Sequence, residues 1–181
     1  RVFEEKKSEY TFRTIKSLLS SIKFNNDIFK KIDLKFTVID HGSSKEDLSI
    51  INDYLKNSLI KYEIINLNMR EFSSIKTIDK NNPIIEENMK ATMASILKSF
   101  KIIKENSADL VYFVEDDYIH KKDSLCEMIF AYEKFASAFK QELFLCPADY
   151  PYLYKSLEST NILIGNNYHW RTIKESLLTF M

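Results

Sequence analysis

Leu110-Val111-Tyr112-Phe113-Val114-Glu115-Asp116-Asp117-Tyr118 is the stretch on which the fold turns. An apolar run of this kind reads as a strand buried on both faces, as in a parallel sheet. Acidic residues at its C-terminal end then emerge where open α/β sheets bind ligands. Three adjacent carboxylates repel one another and cost stability unless a cation neutralises them. A divalent metal carrying a phosphorylated ligand resolves that repulsion, so the run carries the pattern of a nucleotide-sugar site.

The rest of the chain supports alternating helices and strands. Phe12, Ile15, Leu18, Leu19 and Ile22 fall at helical spacing over residues 8–23. Leu34 to Asp40 reads as a strand closed by the turn His41-Gly42-Ser43-Ser44. Ser43 or Ser44 is placed to cap a helix through Asn57, with Glu46 and Asp47 in its first turn. Tyr62 to Leu67 is a second strand, and residues 68–83 read as a polar, irregular connection. Ile84 to Asn106 is a helix whose apolar face (Met89, Met93, Ile96, Leu97, Phe100, Ile103) is expected in the core.

After the acidic run, Asp123 is placed to cap a helix to Lys140, and Glu142 to Cys146 reads as a strand. Ile162–Ile164 and Tyr168–Thr172, separated by Gly165-Asn166-Asn167, read as a hairpin, with a last helix from Ile173 or Lys174. Such alternation argues α/β with a largely parallel sheet. The chain starts on a helix and stops within one, so the reading is a single domain over 1–181, truncated at both ends.

Composition narrows the function. At 181 residues the chain is long enough for one domain with a sizeable core. Its 26 basic and 26 acidic residues cancel, so no whole-chain field draws nucleic acid or an anionic membrane. Only two Gly and three Pro occur, and neither a GxGxxG nor a Walker-type loop is among them, so metal and side chains must hold any phosphate. Cys126 and Cys146 lie outside any metal-ligand spacing and read as small apolar side chains in a reducing compartment. With neither a transmembrane run nor a signal peptide, a cytoplasmic location is expected, with the inner membrane face as a peripheral alternative.

Two stretches together resemble a known family. Phe36-Thr37-Val38-Ile39-Asp40-His41-Gly42-Ser43-Ser44 is similar to the strand and Asp-Asp-Gly-Ser turn of family 2 glycosyltransferases with the GT-A fold. Val114-Glu115-Asp116-Asp117-Tyr118-Ile119, with Asp123 and Leu125 beyond it, is similar to that family's Asp-X-Asp region. Asn88 through Ile103 resembles the helix leading into the acidic strand, and the likeness covers roughly residues 10–135.

The resemblance implies a three-layer α/β sandwich with a mostly parallel central sheet, here lacking its first strand. It implies a metal-dependent, inverting transfer of a sugar from a nucleoside diphosphate donor, a UDP-sugar foremost, to a saccharide or lipid-linked acceptor. A role in surface polysaccharide assembly follows from the family alone. Asp40 and His41 would meet the nucleoside, His41 standing where many members carry a second Asp. Asp116 would meet the ribose and Lys90 would approach the nucleotide. Asp117, with Glu115 at the outer position, would hold Mn2+ or Mg2+.

Three further residues follow from their own chemistry. Alternation puts His169 and Arg171 on one face of the last hairpin strand, with Trp170 on the other. His169 is a metal or phosphate contact, and Arg171 assists the pyrophosphate. Asp149, beside Tyr150-Pro151-Tyr152-Leu153-Tyr154, is the candidate base for the acceptor hydroxyl, with the tyrosines as a sugar-stacking wall. His120 reads as an outer support group or a solvated residue. The alternatives are a non-catalytic nucleotide-sugar or carbohydrate-binding domain and a nucleotidyltransferase, although the Gly-rich loop typical of the latter is missing.

Overall fold

The computed structural model describes residues 6–77, 82–106, 108–150, 154, 159–173 and 179–181. It divides into two compact units: Leu34–Asp109, and residues 1–33 together with Leu110–Met181. The class is mixed α/β, helices accompanied by a small parallel sheet of two strands.

In the continuous unit, β1 (Lys35–Asp40) and β2 (Lys61–Asn66) pair in parallel, Lys35 opposite Lys61 and Asp40 opposite Asn66. The crossover is α3 (Lys45–Asn57), as parallel strands require. Ser44 caps it, its hydroxyl accepting from the Asp47 amide at 3.0 Å. Gly42 makes the preceding turn at φ +80°; a methyl there would meet nothing, so backbone conformation and not space selects glycine. Ile51 and Leu55, one turn apart on α3, are buried, and the Tyr62 hydroxyl of β2 donates to Asn52 at 2.8 Å.

The connection that reads as irregular contains a 3-10 turn, Met69–Phe72, held by a buried Phe72. Phe72, Leu67 and Ala94 form a core against which Ile39, Met69 and Ile75 pack. Ala94 belongs to α4 (Pro83–Asn106) and is the buried residue of that helix; Met89, Met93, Leu97 and Phe100, expected in the core, stay exposed.

In the discontinuous unit, α1 (Lys7–Phe24) packs on α5 (Ser124–Phe139), with a one-turn helix α2 (Asn26–Phe29) after α1. Buried Phe12, Ile15 and Leu18 repeat at helical spacing on α1. Ser21 of α1 donates to the Lys122 carbonyl at 2.9 Å, and Lys140 closes α5 in the left-handed conformation. Asp123 precedes α5 but its carboxylate makes no capping bond; it accepts from the Tyr168 phenol at 3.0 and 3.1 Å instead.

The hairpin β3 (Ile162–Ile164) and β4 (His169–Arg171) is antiparallel, Leu163 opposite Trp170. Trp170 and Leu163 pack against Ala131, Phe135 and Leu145.

Two expected strands are not regular strands. Residues 110–114 form a single antiparallel bridge, Phe113 with Phe180, and the two rings stand 4.8 Å apart. Residues 142–146 contribute one backbone exchange, Leu145 with Met181, at 2.9 and 3.0 Å. Among the described residues, the first segment pairs with Phe180 and the second with Met181. Of the last helix expected from Ile173 or Lys174 to Met181, residues 179–181 are not helical, Phe180 being in a β-bridge, and residues 174–178 lie outside the described residues, as do 151–153.

Candidate functional site

At the C-terminal end of β1 the continuous unit opens a cleft of about 400 Å3. His41, Met69, Phe72, Ser73, Pro83, Glu86, Glu87 and Lys90 line it. His41 and Lys90, both expected beside a nucleotide, therefore share one cavity. His41 gets there as the residue after β1, and Lys90 from the first turns of α4, where Glu86 holds its ammonium at 2.6 Å. Asp40 is only 8% exposed, and its carboxylate has no hydrogen bond or ion pair among the described residues.

The acidic turn belongs to the other unit, where Glu115, Asp116 and Asp117 are all exposed. Asp116 accepts from the Thr11 hydroxyl at 3.1 Å and faces the Lys7 ammonium at 3.6 Å. Glu115 receives the Thr179 hydroxyl at 3.4 Å. Partial burial pushes its carboxyl above the usual range, and the Asp117 charge pushes further. Two carboxylates close enough to disturb each other fit the donor set of Mg2+ or Mn2+, which often use one or two protein oxygens. His169 does not join them: among the described residues no three His, Cys, Asp or Glu side chains gather as a metal-holding group. It stays exposed on β4.

The downstream candidates bind each other. Arg171 grips Asp149 through Nη2 at 2.6 Å and Nε at 3.2 Å. The Tyr154 hydroxyl donates to the same carboxylate, and the guanidinium lies 4.7 Å from the Tyr154 ring centre. The Arg171 hydrogen bond holds the Asp149 carboxyl below its ordinary value, the wrong direction for a general base.

Two further features stand out, one at His120 and one at Glu127, which the sequence reading missed. His120 is half-buried, its Nδ1 3.2 Å from the Ser17 hydroxyl and its Nε2 2.8 Å from the Tyr112 hydroxyl. Ser17 spends its own proton on the Thr14 carbonyl at 2.8 Å, so the imidazole donates through Nδ1 and accepts from Tyr112. Burial pulls the ring down to about 4. Glu127 is buried and accepts three hydrogen bonds: Asn166 N–H at 3.0 Å, Asn167 N–H at 2.7 Å and the Trp170 indole at 3.0 Å. A lone carboxylate inside the apolar run Leu125-Cys126-Glu127-Met128-Ile129-Phe130 was its signal. A second cavity, about 590 Å3 beside α5 and Gly165, contains none of the expected site residues.

Fold and cavities thus define a mixed α/β protein with a cleft at the end of a parallel strand pair. Compared with protein-family models, curated proteins and solved structures, the chain matches none. Among the described residues no helix is long and apolar enough to cross a membrane.

Proposed function

We propose that this chain is a metal-dependent glycosyltransferase of the GT-A type. It would move a sugar from a nucleoside diphosphate donor to a saccharide or lipid-linked acceptor. The observation that carries the reading is the meeting of His41 and Lys90 in one cleft at the C-terminal end of β1. Ligands of open parallel sheets bind at that end.

In this reading Lys90 offers its ammonium to a phosphate oxygen, released from Glu86 as the anion arrives. His41, with Asp40 before it, would orient the nucleoside. Glu115 and Asp117 would hold Mn2+ or Mg2+, which supplies Lewis-acid stabilisation of the departing diphosphate. Burial first and the Asp117 charge second raise Glu115's carboxyl, and a cation between the two carboxylates would offset the second.

A non-catalytic nucleotide-sugar-binding domain is the second reading. It is favoured by the Asp149–Arg171 pair, which occupies the candidate base and the candidate pyrophosphate ligand with each other.

Calorimetric titration of UDP, GDP, CDP and dTDP, each with Mn2+ and then with EDTA, tests both readings. Binding of one nucleotide that EDTA abolishes, and that Asp117→Ala loses, is the expected result. Unchanged UDP binding by Asp117→Ala in Mn2+ would refute the metal assignment. Metal-dependent binding without turnover of any UDP-sugar would select the second reading.

A further inference from the structure

One face of α5 opens onto the cavity of about 590 Å3 that it shares with the β3–β4 turn. Phe130, Glu133, Lys134 and Ser137 stand at i, i+3, i+4 and i+7, so a single helical face supplies them, and Gly165 and Asn166 form the facing wall. We propose that this cavity binds a neutral pyranose sugar, which lays its C–H face on Phe130 and offers its hydroxyls to Glu133, Ser137 and Asn166. The site belongs to the unit that does not carry the nucleotide cleft, and the inference stands without the transferase reading.

The walls are fixed before a ligand arrives. Glu127 accepts the Asn166 and Asn167 amides at 3.0 and 2.7 Å and the Trp170 indole at 3.0 Å, which ties the turn to the helix. Lys134 donates to the Ile164 carbonyl at 2.7 Å and ties it a second time. Gly165 fits so closely between them that a methyl there would collide with the Glu127 carboxylate and the Trp170 indole. A cavity held in this way loses little freedom on binding.

The lining selects the ligand. Phe130 is 40% exposed, an apolar platform of the kind a sugar ring covers with its C–H face. Beside it, among the described residues, Glu133, Ser137 and the Asn166 side-chain amide have no hydrogen-bond partner. They offer a strong acceptor, a hydroxyl that gives or takes, and both halves of an amide, the mixed set that hydroxyl groups require. Glu133 and Lys134 balance, so the cavity has no net charge to draw a phosphate. One apolar side chain is too little to hold a lipid tail. The volume lies within the roughly 300–1,000 Å3 of small-ligand sites. A monosaccharide of about a dozen heavy atoms, at ordinary ligand efficiency, binds there on the order of millimolar.

Glucose, galactose, mannose and N-acetylglucosamine, each titrated into the whole nitrogen-labelled chain in EDTA and followed by amide NMR, test the inference. At least one should shift the Gly165 and Asn166 amides and the Trp170 indole to saturation. Phe130→Ala should weaken that binding about tenfold, the ring contact being lost, and Glu133→Gln severalfold. Both side chains are exposed, and circular dichroism verifies that the variants stay folded. Absence of saturable shifts with all four sugars overturns the proposal, as do shifts that neither variant weakens. Saturable shifts with UDP and with none of the sugars would give the cavity to an anion and overturn it too. Sugar binding in a chain that binds no nucleotide would uphold this site and count against the transferase reading alone.

Discussion

His120 should make this protein acid-sensitive through a single side chain. In the fold its ring titrates at about 4, because burial opposes the charged form. In an unfolded chain an ordinary value of 6.5 applies. The unfolded state therefore binds the extra proton first, and stability falls as pH drops through 6.5 towards 4. Above 6.5 the contribution is fully present; below 4 it is gone. That gap is worth at most about 3 kcal/mol. Because the ring is only partly buried and water screens its charge, about 1–2 kcal/mol is the figure to expect.

Urea unfolding followed by Trp170 emission, at several pH values across that window, measures it. The comparison is with His120→Gln, which removes the titration while keeping a polar side chain. The stability difference between the two proteins should shrink by about 1–2 kcal/mol as pH falls from 6.5 to 4. His41 and His169 are common to both proteins and cancel. Parallel pH profiles for wild type and variant would refute the reasoning.

Glu127→Ala leaves two backbone amides and the indole without their acceptor, and should cost about 3 kcal/mol or more in urea unfolding, with a shift in Trp170 emission. Gly42→Ala forces a side chain into a left-handed turn and should lower stability by about 1 kcal/mol in the same assay. Asp117→Asn removes a neighbouring charge, so carboxyl-detected NMR should find Glu115 titrating lower than in the wild type, with no loss of stability.

Local periodicity was the legible part of this sequence. The long helices α1, α3, α4 and α5, the β1–α3–β2 crossover, the Ser44 cap and the β3–β4 hairpin follow from spacings and turn residues within a few positions of one another. The expectation failed where pairing is made at long range. Leu110–Val114 has a strand's composition, yet what it bonds to is Phe180, 67 residues beyond Phe113, which no local pattern announces. The apolar face of α4 was legible, but amphipathicity names a face and never what lies against it.

Site residues divide in the same way. His41 and Lys90, 49 positions apart in the sequence, line one cavity. Asp149 and Arg171 each read sensibly alone, and only the structure reveals that they neutralise one another. His120 read as an outer support group or a solvated residue because its partners, Ser17 and Tyr112, come from different segments of the chain.

The backbone exchanges at Phe113–Phe180 and Leu145–Met181 bear on the order in which a ribosome could deliver this molecule. Residues 34–109 are contiguous, so the contacts inside that unit close over short stretches of chain and can form while the remainder is still being made. In the other unit α1 meets α5 only across about a hundred intervening residues, so Phe12, Ile15 and Leu18 stay unburied until that stretch has been made, a surface for chaperones to hold.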